Sequence, residues 1–242
     1  MKDSSSRLLT RRVKSRILVV DNHPLVREGL RQMIQQQADL EGCGEAGSYT
    51  AAQKILATTN PDLVTLEIHL QGGDGLEWLK TLKAERPEIL TLVISQCDEL
   101  LYAERALKAG ARGYITKERT TDEVLAAMRT VLAGGHYVSP KIAALALTRM
   151  ISDRPGKNQH DLQNLTNREL QVLQLLGAGL GTRKASVKLG LSIKTVEAHR
   201  ENIKRKLRLA SAAALVRYAT DWLNGQPSQH LPPSSASPDP KK

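Results

Sequence analysis

The chain contains no phenylalanine, and aromatic residues make up only 3% of its 242 positions. Any core must therefore be aliphatic, and aromatic platforms for stacking single-stranded bases are poorly supplied. There are two cysteines, Cys43 and Cys97, with no metal-type spacing and no CxxC pair. They are expected as small buried or half-buried residues in a reducing cytoplasm. No apolar run approaches the ~18 residues that cross a bilayer, so no membrane partner is expected. The basic N-terminal stretch (Arg7, Arg11, Arg12, Lys14, Arg16) lacks the apolar core of a signal peptide. Outside the pocket described below there is no nucleophile–base pair, phosphate loop or metal cluster. An enzymatic role therefore finds little support, and no internal repeat is present.

Charge is abundant but unevenly placed. Residues 1–16 carry net +5, residues 17–133 net −5, and residues 164–224 net +7, within a total of +10. An acidic first half joined to a basic second half points to a regulatory domain attached to one that binds a polyanion.

Between 17 and about 133, short aliphatic runs alternate with helical stretches. Ile17-Leu18-Val19-Val20 ends at Asp21, and residues 24 to about 37 follow with Leu25, Val26, Leu30 and Ile34 at helical spacing. Further strands are expected at Leu63–Leu66, Leu90–Ser95 and 113–115, with a weaker one around 42–46. The alternation predicts an α/β doubly wound parallel sheet of five strands. Functional groups collect beyond the carboxyl ends of such strands, and Asp21, Glu67, Ser95 and Lys117 all fall there. Residues 134–161 read as a linker with a short helix over 141–151. An all-helical block over 162–224 then opens on the capping box Thr166-Asn167-Arg168-Glu169. The tail, 225–242, is rich in Pro, Ser and Gln and is expected to be disordered.

Residues 17–133 resemble a CheY-like receiver domain of two-component response regulators. The resemblance is carried by Asp21, the Asp74-Gly75 loop, Ser95, Tyr114 and Lys117. Its spacing also fits, with Ser95 28 residues after Glu67 and Lys117 22 after Ser95. It implies a pocket in which two acids and an acceptor aspartate hold Mg²⁺, a hydroxyl and a lysine grip the phosphoryl group, and an aromatic residue reports the change. On this chain those places belong to Asp21, Asn22, Glu67, Ser95, Lys117 and Tyr114. Three departures cluster there: Asn22 for an acid, Glu67 for the acceptor aspartate, and Gln71 for a proline. Mg²⁺ demands near-octahedral oxygens at about 2.0–2.1 Å, so an amide and a displaced carboxylate make a weak, misplaced site. No cofactor is expected. In-line transfer needs positioning to about an ångström, which disfavours an acyl phosphate on Glu67. Three readings of Glu67 stand: a partial mimic of the phosphoryl group held by Ser95 and Lys117, an inert partner of Lys117 in a pseudo-receiver that serves as a dimerisation platform, or part of a switch that answers an unfamiliar input. His69 is expected as a solvent-facing loop residue, and Trp78 as packing.

The block 162–224 is similar to the LuxR-type helix-turn-helix domain. The similarity rests on Leu165-Thr166-Asn167-Arg168-Glu169 and on Thr195-Val196, His199, Asn202-Ile203 and Lys206-Leu207. A helix over Thr182–Leu189, a turn at Gly190 and a second helix from near Ser192 make the motif. In the second helix Val196, His199, Ile203 and Leu207 phase inward. Lys194, Ala198, Glu201, Arg205 and Arg208, flanked by Glu197, form the face offered to the major groove of double-stranded DNA. Thr195 and Asn202 are candidate phosphate donors. Ala185 and Ser186 replace larger or apolar residues usual in the first helix, which predicts looser packing. The resemblance implies a homodimer on repeated half-sites, and the departures in the receiver pocket lead to the expectation that it acts without phosphorylation of the usual aspartate. A conventional regulator driven by a sensor histidine kinase, and a module that titrates a partner regulator, remain open.

Overall fold

The computed structural model describes residues 14–70, 73–151, 162 and 164–224. Gln71, most of the expected N-terminal tail, residues 152–161 of the linker and the tail from 225 lie outside them. The chain divides into two compact units near residue 145.

The first unit is built from β1 (Ser15–Val20), α1 (Pro24–Gln35), β2 (Leu40–Ala46), α2 (Tyr49–Leu56), β3 (Leu63–Leu66), α3 (Gly75–Glu85), β4 (Leu90–Ser95), α4 (Glu99–Lys108), β5 (Gly113–Thr116) and α5 (Thr121–Leu132). The strands pair in the order β2-β1-β3-β4-β5, all parallel. Every residue of β3 is buried, as are Ile17 to Val20 of β1. Continuous apolar runs are what a sheet covered on both faces requires. On one face Ile17, Val19, Leu63, Leu92, Ile94 and Ile115 pack with Met33 and Ile34 of α1 and with Val124, Met128 and Val131 of α5. β1 begins at Ser15, two residues ahead of the expected boundary, because Ser15 donates its amide to the Asp39 carbonyl at 2.9 Å. β2 is an edge strand of mixed burial, and its register with β1 skips Cys43 between Gly42 and Gly44. This bulge and the two glycines explain its weak sequence signal.

The residues after α5 remain attached to this unit. Tyr137 bridges Gly113 beside β5, and Ser139 caps α6 (Pro140–Ile151), accepting from Ile142 N at 3.3 Å.

The second unit holds α7 (Asn167–Gly177), α8 (Thr182–Leu189), α9 (Ile193–Lys206) and α10 (Ala212–Leu223). Leu170, Val172, Leu173 and Leu176 of α7 are buried with Val196, Ile203 and Leu207 around α9 and with Leu215, Tyr218 and Ala219 of α10. α7 carries the expected capping box: Thr166 Oγ accepts from Glu169 N at 3.2 Å, and Glu169 Oε2 accepts from Thr166 N at 2.7 Å. Gly177 allows the close approach of α10, since a Cβ there would strike the Ala219 carbonyl.

Candidate functional site

In the first unit, three strand ends deliver one buried cluster. Asp21 follows β1, Glu67 follows β3 and Ser95 closes β4, with exposures of 2%, 3% and 0%. Lys117 follows β5 and reaches across, its Nζ 2.5 Å from Asp21 Oδ2 and 2.8 Å from Glu67 Oε2. Glu67 Oε1 accepts from the Ser95 hydroxyl at 2.6 Å and from the His69 amide at 2.9 Å. Asp21 Oδ1 accepts from His23 N at 2.8 Å. Every carboxylate oxygen of the pair therefore has a partner.

The electrostatics follow from this geometry. Burial alone would raise the Glu67 pKa, but the Lys117 ammonium, the His69 amide and the Ser95 hydroxyl outweigh it. The carboxyl is held below its ordinary value of 4.5 and stays ionised. Two carboxylates share the Lys117 ammonium, and the Arg27 guanidinium donates to the Asp21 backbone carbonyl at 2.7 Å.

Asn22 is half-buried, and its Oδ1 has no hydrogen-bond partner. A Mg²⁺ ion keeps several waters and takes one or two carboxylates; here both carboxylates contact Lys117, and Asn22 offers an amide where the receiver pattern has an acid. No group of three or more metal-ligating His, Cys, Asp or Glu residues occurs among the described residues.

Tyr114 stands one layer further in. Its hydroxyl donates to the Cys97 carbonyl at 2.8 Å and the side chain is 1% exposed, with burial keeping the phenol protonated. Cys97 N in turn donates to Ser95 Oγ at 3.2 Å, so the hydroxyl that grips Glu67 and the carbonyl that holds Tyr114 sit two residues apart. His69 departs from the expected solvent-facing loop residue. It is half-buried, its Nδ1 3.4 Å from Cys97 Sγ and its ring edge-on to Tyr102 at 5.7 Å. The fixed turn after Glu67, where the backbone amide of His69 is drawn onto the carboxylate, turns the ring inward. Burial and the nearby Glu67 charge push the Cys97 thiol up to about 12, so it is an unreactive packing group. Sequence reasoning missed Tyr102, which is wholly buried in α4; its apolar spacing in that helix is the available signal. Trp78 stacks on Tyr49 with centroids 5.4 Å apart, and the Tyr49 hydroxyl donates to the Ile68 carbonyl at 2.7 Å. The pair thus braces the backbone beside Glu67.

In the second unit, Ser192 caps α9, accepting from Thr195 N at 3.0 Å. Lys194, Thr195, Glu197, Ala198, Glu201 and Arg205 are exposed along α9, and Asn202 is half-buried. Asn202 accepts from Arg205 at 2.9 Å, and Glu201 pairs with Lys204 at 2.8 Å. His199 is half-buried, and its pKa is lowered by that burial. Arg208 departs from the expected stripe. α9 ends at Lys206, and Arg208 lies beyond it with φ 54°. Leu209 N returns to the Lys204 carbonyl at 2.8 Å and Arg208 N to the Arg205 carbonyl at 3.3 Å, a Schellman stop with arginine in the place usual for glycine. Arg200 NH1 donates to Thr182 Oγ1 at 2.7 Å, joining the two helices of the motif. Ala185 and Ser186 are buried, and Ser186 Oγ satisfies itself on the Arg183 carbonyl at 2.8 Å. α8 adds Arg183, Lys184 and Lys188, exposed cations outside the expected set. The position of the first helix in the motif, which crosses the phosphate backbone, is the signal that could have named them.

Comparison with known proteins accounts for both units. Residues 17–129 match the response regulator receiver domain, and residues 163–219 match the bacterial regulatory proteins of the luxR family. The chain is 32% identical over 213 residues to the transcriptional regulatory protein MctR of Rhizobium johnstonii, covering 88% of this chain and 96% of MctR. It is a LuxR-family response regulator. To the response regulator GacA of Pseudomonas aeruginosa this regulator is 34% identical, over 84% of its own length and 94% of GacA. Among solved structures it is similar to RcsB of Salmonella enterica serovar Typhimurium bound to promoter rprA in the presence of phosphomimetic BeF₃⁻. That likeness has a TM-score of 0.61 at 20% identity and covers 86% of this chain and 99% of RcsB, which establishes the shared fold. The chain is thus a DNA-binding transcription regulator with a five-stranded parallel α/β receiver and a helical DNA-binding unit.

Proposed function

We propose that this regulator binds repeated half-sites in double-stranded DNA as a cytoplasmic homodimer, with Glu67 holding its receiver in the state that phosphorylation produces in conventional relatives. One observation carries the reading. Ser95 and Lys117, the groups that the receiver pattern assigns to the phosphoryl oxygens, close on the Glu67 carboxylate at 2.6 and 2.8 Å. Tyr114 is buried beneath them on the Cys97 carbonyl. A carboxylate has one charge and two oxygens against nearly two charges and three oxygens for a phosphate, so the mimicry is partial. In the same reading Lys194, Glu197, Ala198 and Glu201 face base edges, while Thr195, Asn202, Arg205 and Arg208 meet phosphates. Neither a sensor kinase nor Mg²⁺ is required.

The test is DNA affinity of the full-length protein without phosphodonor or Mg²⁺. Glu67→Gln keeps the length of the side chain and removes its charge. It is expected to bind roughly tenfold more weakly, the factor equivalent to 1.4 kcal/mol. Equal affinities would instead make Glu67 a static partner of Lys117. The Asp21–Lys117 pair at 2.5 Å favours that second reading, because it would hold the lysine without any help from Glu67.

A further inference from the structure

We infer that Glu197 reads a cytosine in each half-site, which makes it a specificity-determining residue of the DNA-binding unit. The inference rests on the reading of α9 as the groove helix. Glu197 lies in the second turn of α9, exposed beside Lys194 and Ala198. The N-terminal part of a recognition helix is the part that reaches base edges, and Ala198 leaves room for close approach. Glu197 is the acid of this helix without a partner: among the described residues its side chain forms no hydrogen bond or ion pair. Lys194, one turn earlier, is likewise without a partner among the described residues, while the remaining charged groups of this helix are engaged. Glu201 is paired with Lys204, Arg205 donates to Asn202, Arg200 is tied to Thr182 and Lys206 to Glu169.

An ionised carboxylate only accepts hydrogen bonds, and the phosphates around it repel it. It is tolerated in a major groove where a base offers a donor. Two bases do so, cytosine through N4 and adenine through N6, but adenine sets its N7 acceptor beside that donor. A lone acceptor therefore favours cytosine. A glutamine of equal length would favour adenine, because its amide can donate to N7 while accepting from N6.

The experiment is selection from a random DNA pool with the full-length wild type, Glu197→Gln, Glu197→Ala and the control Asp221→Ala, an acid on α10 outside the groove-facing set, each checked for native helicity. The wild type is expected to enrich a motif with a cytosine in each half-site. Preference at that base should drop roughly tenfold in Glu197→Ala, within the range for loss of one good base contact. It should turn toward adenine in Glu197→Gln and persist in Asp221→Ala. A motif that Glu197→Ala and Glu197→Gln leave unchanged at every position, with binding intact or uniformly weaker, overturns the inference and leaves the DNA-binding reading standing. No enrichment by the wild type overturns both.

Discussion

In the receiver pocket a single ammonium faces two buried carboxylates, and this imbalance decides how substitutions there behave. Lys117→Met would leave Asp21 and Glu67 uncompensated in a dry site. Breaking a buried pair in this way costs about 3–5 kcal/mol, readable as a lower urea midpoint for the full-length protein. The pH dependence follows from the lowered Glu67 pKa. A carboxyl that binds its proton less readily when folded adds stability that is fully present above its ordinary value of 4.5. That contribution is lost as pH falls through the lower, folded value. Glu67→Gln should therefore flatten the stability profile below pH 4.5, measured by denaturant unfolding across an acid series. Asp21, Glu67, Ser95 and Lys117 were legible as a group because parallel strands deliver their last residues to one edge. The inward turn of His69 was not, since it depends on a backbone amide captured by the carboxylate two residues earlier, a contact with no periodic signature.

Helix ends are the informative elements of the DNA-binding unit. α8 stops at Gly190 with φ 65°, where glycine carries no penalty, but α9 stops at Arg208 with φ 54°. A left-handed conformation costs a residue with a Cβ about 1 kcal/mol or more. Arg208→Gly should thus raise amide protection of Ile203 and Leu207 about fivefold in hydrogen exchange, the equivalent of ~1 kcal/mol. The same change should weaken DNA binding if Arg208 meets phosphate. The inward phase of Val196, Ile203 and Leu207 was readable from the 3.6-residue period, and all three are fully buried. The end of the helix was not, because the period runs on through Arg208 while the backbone turns left-handed there. β2 was only faintly readable for the opposite reason: an edge strand with a bulge and two glycines has little hydrophobic pattern to show.

On the scale of the whole molecule, charge is partitioned by unit. Net −5 over residues 17–133 against net +7 over residues 164–224 concentrates attraction for DNA in the helical block, with the basic residues 1–16, net +5, as the other cationic stretch. Binding should therefore weaken steeply with salt, the logarithm of the affinity falling by about 0.9 per phosphate contact for each logarithmic unit of salt. Arg205→Ala should lower that slope by about 1 while leaving the preferred motif unchanged, which a salt titration of binding would reveal. The division into an acidic α/β unit and a basic helical one was visible from composition and period together, since each unit carries its own pattern from end to end.

The short bridge from Tyr137 to Gly113 has a mechanical meaning. Tyr114 N donates to the Tyr137 carbonyl at 2.9 Å and Tyr137 N to the Arg112 carbonyl at 3.0 Å, so the departing chain is sewn along the outer margin of β5 before α6 begins. The tether to the DNA-binding unit is thus anchored on the strand that holds Tyr114 and leads directly into Lys117. A displacement of that strand would be carried to the root of the tether through these two hydrogen bonds.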